Sequence, residues 1–243
     1  MGSIWSQTCS IGRRPPLRGH LKTQAAVVGA GMAGVLTAYA LQQAGLSVVV
    51  LEAGRIAGGQ TQNTTAKITS QHGLIYSRLI QSFGEETARR YAKANQDAVR
   101  AYQDLIDVQG ISCDWEERCA YLYGPDVTVL QEEAEAARRL GLPASFTREV
   151  SIPIPHDGAV RFEGQAQFHP LKFLKVLADQ LTIYEQSRVL TAEGDLLTTE
   201  LGSVQAEHIV FACHFPFVNF PGMYFARMHQ ERSYVLALQG APP

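Results

Sequence analysis

The sequence predicts an α/β fold interrupted by an α+β insertion, and three observations carry that prediction. Residues 24–51 form a strand–helix–strand unit, two short apolar runs flanking a stretch with apolar residues at helical spacing. Strands alternating with a helix return after Phe168. Between these two regions, residues 77–168 read as amphipathic helices mixed with isolated strands. Parallel strands joined by a helix need both sheet faces covered, which an α/β packing supplies.

The elements follow in order. Residues 24–28 (QAAVV) are a buried strand. From Gly31 to Ala44, Met32, Val35, Leu36, Tyr39, Ala40 and Leu41 recur at helical spacing, and Gly45 ends the helix. Residues 46–51 (LSVVVL) are the second strand, ending at Glu52. Residues 55–73 are rich in Gly, Thr, Gln and Asn, a ligand loop by length and composition. A helix over 87–108 stops at Gly110, and Asp126 caps another that runs to Leu140 and stops at Gly141. Strands are expected at 119–123, 147–150 and 159–162. Pro170 opens a helix to Gln180. Short strands follow at 182–184, 186–191, 196–201, 203–205 and 208–213, with turns at Gly194-Asp195 and Gly202. A strand-like run near the end places Tyr234, Leu236 and Leu238 on one face.

Composition narrows the function. A length of 243 residues suits one large domain or two small ones. With 46% hydrophobic and 18% charged residues, global disorder is excluded. Lys and Arg number 21 against 23 Asp and Glu, with no basic stripe, so nucleic acid is not an expected partner. Cys9, Cys113, Cys119 and Cys213 are scattered, form no CxxC and fit neither a metal site nor a disulfide scaffold, which points to a reducing, cytoplasmic setting. No apolar run reaches the ~18–20 residues of a membrane span. Met1-Gly2 with Ser6 fits a myristoylation pattern only formally. Residues 1–20 instead read as an extended arm, with Ile4 and Trp5 tucked against the body and Pro15-Pro16 as a stiff lead-in.

The chemistry concentrates at Gly29-Ala30-Gly31-Met32-Ala33-Gly34, a GxGxxG between strand and helix. Gly29 allows the tight turn, Gly31 lets the backbone approach a pyrophosphate, and Gly34 lets helix and strand pack closely. The helix N-terminus adds free N–H groups and a positive dipole end. Glu52 ends the next strand, where a carboxylate accepts hydrogen bonds from ribose hydroxyls and repels a 2′-phosphate. The pattern is thus a Rossmann-like FAD/NAD(P)-binding domain with NADP disfavoured, and the residues alone leave FAD and NAD both open. Adjacent Cys213 and His214 lie on opposite faces of a strand, so the thiol reads as buried and inert rather than as a nucleophile.

Several stretches resemble the FAD-dependent oxidoreductases related to glycine and D-amino-acid oxidases. They are the 29–34 loop, Glu52-Ala53-Gly54-Arg55 with Gly58-Gly59, Gly164-Gln165-Ala166-Gln167-Phe168-His169-Pro170, Arg188-Val189, and residues 210–216. Residues 64–73 (TTAKITSQHG) and Ser3-Ile4-Trp5-Ser6 are similar to a subgroup whose members often carry a C-terminal Rieske domain. The resemblance implies FAD as cofactor. Gly29, Gly31, Met32, Ala33 and Gly34 would sit at its pyrophosphate and Glu52 at its adenosine ribose, with Ala53, Arg55, Thr64 and Thr65 in support. The backbone of Val189 would meet adenine. The implied reaction is oxidation of an amine or amino-acid C–N bond by hydride transfer to flavin, with a Rieske electron partner only in full-length relatives. No catalytic residue is singled out; Lys67 and His72 lie in the loop expected to face the cofactor. Trp115, Tyr121 and Tyr123 are candidates for a substrate cavity.

The implied organisation is a first FAD-binding segment at 21–76, a substrate-side region at 77–168 and a second FAD-binding segment at 169–217. Residues 218–243 begin further substrate-domain strands. The family's third flavin segment has no counterpart here, so the chain looks like the N-terminal two-thirds of a flavoenzyme, with an open sheet edge at Val210-Phe211-Ala212. The alternatives are a catalytically inactive dinucleotide-binding remnant and an NAD-dependent dehydrogenase.

Overall fold

A computed structural model describes residues 2–150, 155–215, 217–219, 222–231, 233 and 234. It divides into two compact units. The first runs to Thr64 and resumes at Pro170; the second is Thr65–His169.

The first unit is built on a six-stranded sheet. β1 (Gly19–Val28) and β2 (Val48–Leu51) flank α2 (Met32–Gln43), and α1 is a single turn and a half at Ile4–Thr8. Numbering the remaining elements along the chain, this unit also holds α6 (Pro170–Ala178), β7 (Thr182–Tyr184), β8 (Thr191–Glu193), β9 (Leu196–Thr198) and β10 (Gly202–Phe211). The strand order is β7-β2-β1-β10-β9-β8, the first four parallel and the last two antiparallel. α2 packs on β1 and β2 with α6 beside it. Leu171, Phe173, Leu174 and Leu177 form the buried face of α6. One apolar cluster joins Ala26, Val28, Val49, Leu51, Val189, Leu197 and Val204. The carboxyl ends of β1, β2, β7 and β10 therefore share one edge, and α2 begins there.

The second unit pairs β3 (Lys67–Ile68), β4 (Glu116–Gly124) and β5 (Ala144–Thr147) with the long strand β6 (Gly158–Gln167), all antiparallel. Helices α3 (Tyr76–Phe83), α4 (Glu85–Gln109) and α5 (Val127–Arg139) complete it. Tyr76, Ala88, Ala92, Leu130, Ala134, Ala137, Val160 and Phe162 form its core. Asp126 caps α5 as its sequence position requires, its side chain accepting the Val129 N–H at 3.1 Å.

Glu133 does more than fill the core. This carboxylate is 2% exposed and accepts the N–H groups of Ile75 and Tyr76 at 2.8 Å and of Ser77 at 2.9 Å. It thereby caps α3, which has no capping side chain of its own. Burial pushes the neighbouring Tyr76 hydroxyl well above the usual phenol range, with Tyr91 and Glu133 adding to the shift. Glu133→Ala leaves one buried and two half-buried donors without an acceptor and should cost about 3 kcal/mol, since each orphaned buried group costs about 1–3. Urea unfolding should show the lower midpoint, with Glu133→Gln recovering part of it.

Several features differ from the sequence expectations, among them the strand expected at 147–150, which lies at Ala144–Thr147. The boundary between units falls at Thr64, not residue 76, because β3 pairs with β6 and Tyr76 packs 6.2 Å from Phe162. Residues 4–8 are helical rather than extended, and Ile4 is 64% exposed, while Trp5 is anchored, its indole N–H donating to the Thr64 carbonyl at 2.9 Å. Residues 186–190 form no strand, since Gln186 adopts a left-handed backbone with φ 49°, and only Thr191 joins one, β8. Residues 203–205 and 208–213 belong to one strand, β10, held in register with β1 from Gly19↔Gly202 to Val28↔Phe211.

The expected open edge is present in part. β9 pairs with β10 only at residues 203–205, the Ala206 N–H adds one bond to the Asp195 carbonyl at 2.9 Å, and among the described residues no other strand pairs with that side of β10. Of the strand expected near the C-terminus, Leu236 and Leu238 lie outside the described residues, as do Met1 and Pro216. Among the described residues no helix is long and apolar enough to cross a membrane.

Candidate cofactor site

The glycine loop is built as its spacing requires. Gly29 leaves β1 at φ 106°, and a Cβ there would lie 2.6 Å from the Ala212 carbonyl oxygen. Gly34 is tighter, because a Cβ would meet the Gly29 carbonyl oxygen at 1.9 Å. Neither position admits a side chain. Gly31 is the N-cap of α2 with an ordinary extended backbone, and a Cβ there would reach only the Thr61 hydroxyl, at 3.3 Å. Its lack of a side chain is therefore not demanded by the fold. It leaves the helix N-terminus open to a ligand.

The donors at this terminus are the second observation. The N–H groups of Gly31, Ala33 and Gly34 have no acceptor among the described residues, while Met32 N–H donates to Thr61 Oγ1 at 3.0 Å. Three free N–H groups at the positive end of α2 form an anion cradle of the kind that holds pyrophosphate. Residues 55–63 fold back over the loop, with the Ala57 N–H on the Ala30 carbonyl at 2.9 Å.

Glu52 stands at the end of β2 beside this cradle. Its two carboxylate oxygens accept the N–H groups of Ala30 and Gly54, each at 2.7 Å. Each oxygen keeps acceptor capacity for a ribose hydroxyl. Glu52→Ala should weaken dinucleotide binding by about 1.5–3 kcal/mol, the range for hydrogen bonds to a charged group, as measured by titration calorimetry.

The other candidate residues fall into place differently. The Arg55 guanidinium is engaged by the Glu185 carboxylate and donates to the Ile11 carbonyl at 2.8 Å, so its part in the site is indirect. Ala53 is exposed in the turn between Glu52 and Gly54. Thr64 and Thr65 are exposed, and Thr65 belongs to the second unit. Thr61, which the sequence reading passed over, is the threonine at the helix terminus. Val189 buries its side chain in the sheet core, and its backbone N–H and carbonyl carry no hydrogen bond among the described residues. These residues fit the ADP half of FAD.

Beyond the nucleotide cradle, Cys213 and His214 lie past the end of β10 rather than on alternate faces of it, and the thiol is half-buried. Burial pushes that thiol above its ordinary range and the Glu52 charge adds to the shift, so it is a poor nucleophile. His72 is exposed and pairs with Asn95 at 3.2 Å, and Lys67 is exposed on β3. In the second unit, Trp115 lines a cavity of about 300 Å³ and packs edge-on to Phe168. Tyr121 and Tyr123 are 41% and 47% exposed.

Comparison with known proteins agrees with this geometry. Residues 24–243 match the family model described as DAO, FAD dependent oxidoreductase. YhfW of Bacillus subtilis, named for a Rieske 2Fe-2S iron-sulfur centre, is 35% identical over 98% of this chain and 49% of its own length. Gamma-glutamylputrescine oxidoreductase of Escherichia coli is 26% identical over 76% of this chain and 47% of its own. The chain spans about half the length of these relatives. Among solved structures, L-amino acid deaminase of Proteus myxofaciens superposes with a TM-score of 0.67 at 18% identity, covering 87% of this chain and 49% of that one. Glycine oxidase of Geobacillus kaustophilus gives 0.56 at 19%, covering 79% and 55%. Those two likenesses establish the fold, and the family match establishes the cofactor class. The chain belongs to the DAO family of FAD-dependent oxidoreductases.

Proposed function

We propose that this chain is the nucleotide-binding and substrate-side part of a flavoenzyme that oxidises an amine or amino-acid C–N bond. The observation that carries the dinucleotide assignment is the cradle itself, three N–H groups at the start of α2 without an acceptor among the described residues and Glu52 alongside, and the family match makes that dinucleotide FAD. Gly31, Ala33 and Gly34 bind the pyrophosphate through their N–H groups, Glu52 holds the adenosine ribose, and the Val189 backbone meets adenine. Thr61 holds Met32 at the helix terminus, and Arg55 braces the turn after Glu52. The first unit and the second correspond to the FAD-binding and substrate-side regions.

Bound FAD supplies a hydride acceptor at the flavin ring. The substrate class is supported by the relatives, which include an L-amino acid deaminase, a glycine oxidase and a gamma-glutamylputrescine oxidoreductase. In relatives that carry a Rieske centre, that centre is the expected electron partner.

The test is anaerobic mixing of the FAD-reconstituted protein with panels of amines, L- and D-amino acids, and 2-hydroxy acids. Bleaching of the oxidised-flavin absorbance by an amine or amino acid supports the reading. Bleaching by the hydroxy acids alone refutes the substrate class.

A further inference from the structure

Glu185 is a buried carboxylate that the nucleotide cradle does not touch. It follows β7 directly, is 1% exposed, and gathers donors from two distant stretches of chain. Its Oε1 accepts the Ile56 N–H at 2.8 Å, and its Oε2 accepts the Arg14 N–H at 2.9 Å and the Arg55 guanidinium. Arg55 in turn reaches the Ile11 carbonyl, so the N-terminal arm closes one side of the cluster.

The backbone beside Glu185 is tied to the residues that carry Glu52. The Glu52 N–H donates to the Tyr184 carbonyl and the Ser187 N–H to the Glu52 carbonyl, both at 2.8 Å. The Gln186 amide donates to the Gly54 carbonyl at 3.0 Å. Gly54 N–H is one of the two donors that orient the Glu52 carboxylate. The turn 52–56 is thus held at Glu52 and Gly54 by the 184–187 backbone, and at Arg55 and Ile56 by the Glu185 carboxylate. A carboxylate taken out of water needs a charged partner and further hydrogen bonds, and this one has the Arg55 guanidinium and two backbone N–H donors.

We infer that Glu185 is a positioning residue for the adenosine end of the site, acting through Arg55 and Ile56 to hold Glu52 in its ribose-binding orientation. The inference rests on the proposed binding of FAD at the Gly29–Gly34 cradle. Glu185 itself touches no part of the nucleotide.

A double-mutant cycle on binding separates positioning from general support of the fold. FAD and ADP-ribose affinities are measured for the wild type, Glu52→Ala, Glu185→Gln and the double variant. Glu185→Gln should weaken both ligands alike by about tenfold or more, the effect of losing one charge-assisted contact at about 1.4 kcal/mol per tenfold. Glu52→Ala should cost at least tenfold in the wild type and less than about threefold in the Glu185→Gln background, because the carboxylate it removes is no longer oriented. Additive losses, or an unchanged affinity in Glu185→Gln, overturn the positioning role. If Glu185→Gln fails to fold, Arg55→Gln, whose side chain is 38% exposed, carries the same cycle with the same two readings. A folded wild type that binds neither ligand refutes the proposed function, and the role of Glu185 with it; additive losses in a wild type that does bind refute the role alone.

Discussion

Gly34→Ala should leave little folded protein. The added Cβ would lie 1.9 Å from the Gly29 carbonyl oxygen, far inside contact distance, and both partners are backbone. No side-chain rotation relieves such an overlap. Either α2 moves off β1 or the Gly29 turn opens, and both disrupt the buried β1–α2–β2 unit. A cost above about 4–5 kcal/mol belongs to this kind of change and approaches the whole stability of a typical domain. Expression at low temperature followed by circular dichroism should show a collapsed melting transition. A melting curve matching the wild type would mean that helix and strand do not meet as described.

Gly31→Val should separate binding from stability. Gly31 has φ −81° and an extended backbone that any residue adopts. Its Cβ would press only on the Thr61 hydroxyl at 3.3 Å, a side chain able to turn aside. Folding should therefore change by less than about 1 kcal/mol, as for an unstrained, half-buried position with one movable neighbour. Binding is another matter, because the valine occupies the space at the helix terminus that the pyrophosphate needs. Loss of FAD affinity by about a hundredfold, roughly 2.7 kcal/mol, is expected. Titration calorimetry and a melting curve on one preparation read both effects. Unchanged affinity would remove the phosphate from this loop.

The contrast between these two glycines shows what was legible in the sequence. The motif at 29–34, the following carboxylate Glu52 and the Asp126 cap are marked by residue type and spacing, and Gly29, Gly34 and Asp126 take the geometry that spacing predicts. The elements that escaped sequence reading depend on partners far along the chain. Helix α3 has no cap of its own, and its first N–H groups are satisfied by Glu133, more than fifty residues away. Strand β10 looks broken around Ala206 and Glu207, yet its register with β1 runs through that point. Thr61 was hidden among several polar residues of one loop, and only the fold-back at Ala57 brings it to Met32. Glu185 resembles any acidic residue after a strand. Its role becomes visible only when Arg14, Arg55 and Ile56 converge on it, from 129 to 171 residues away.

The site also explains why the nucleotide half is the readable half of the cofactor. The features proposed for this site, the N–H groups of Gly31, Ala33 and Gly34 that lack an acceptor among the described residues, Glu52 and the Val189 backbone, all suit pyrophosphate, ribose or adenine chemistry. FAD should therefore be held first by its ADP portion. Competition between FAD and ADP-ribose on the purified protein, followed by fluorescence or calorimetry, tests this most directly. Mutually exclusive binding, with ADP-ribose displacing FAD, is the outcome expected from the cradle, and FAD outcompeting NAD is the outcome expected from the family match. Tight NAD binding that FAD fails to displace would show that the Gly29–Gly34 loop and Glu52 serve a different dinucleotide.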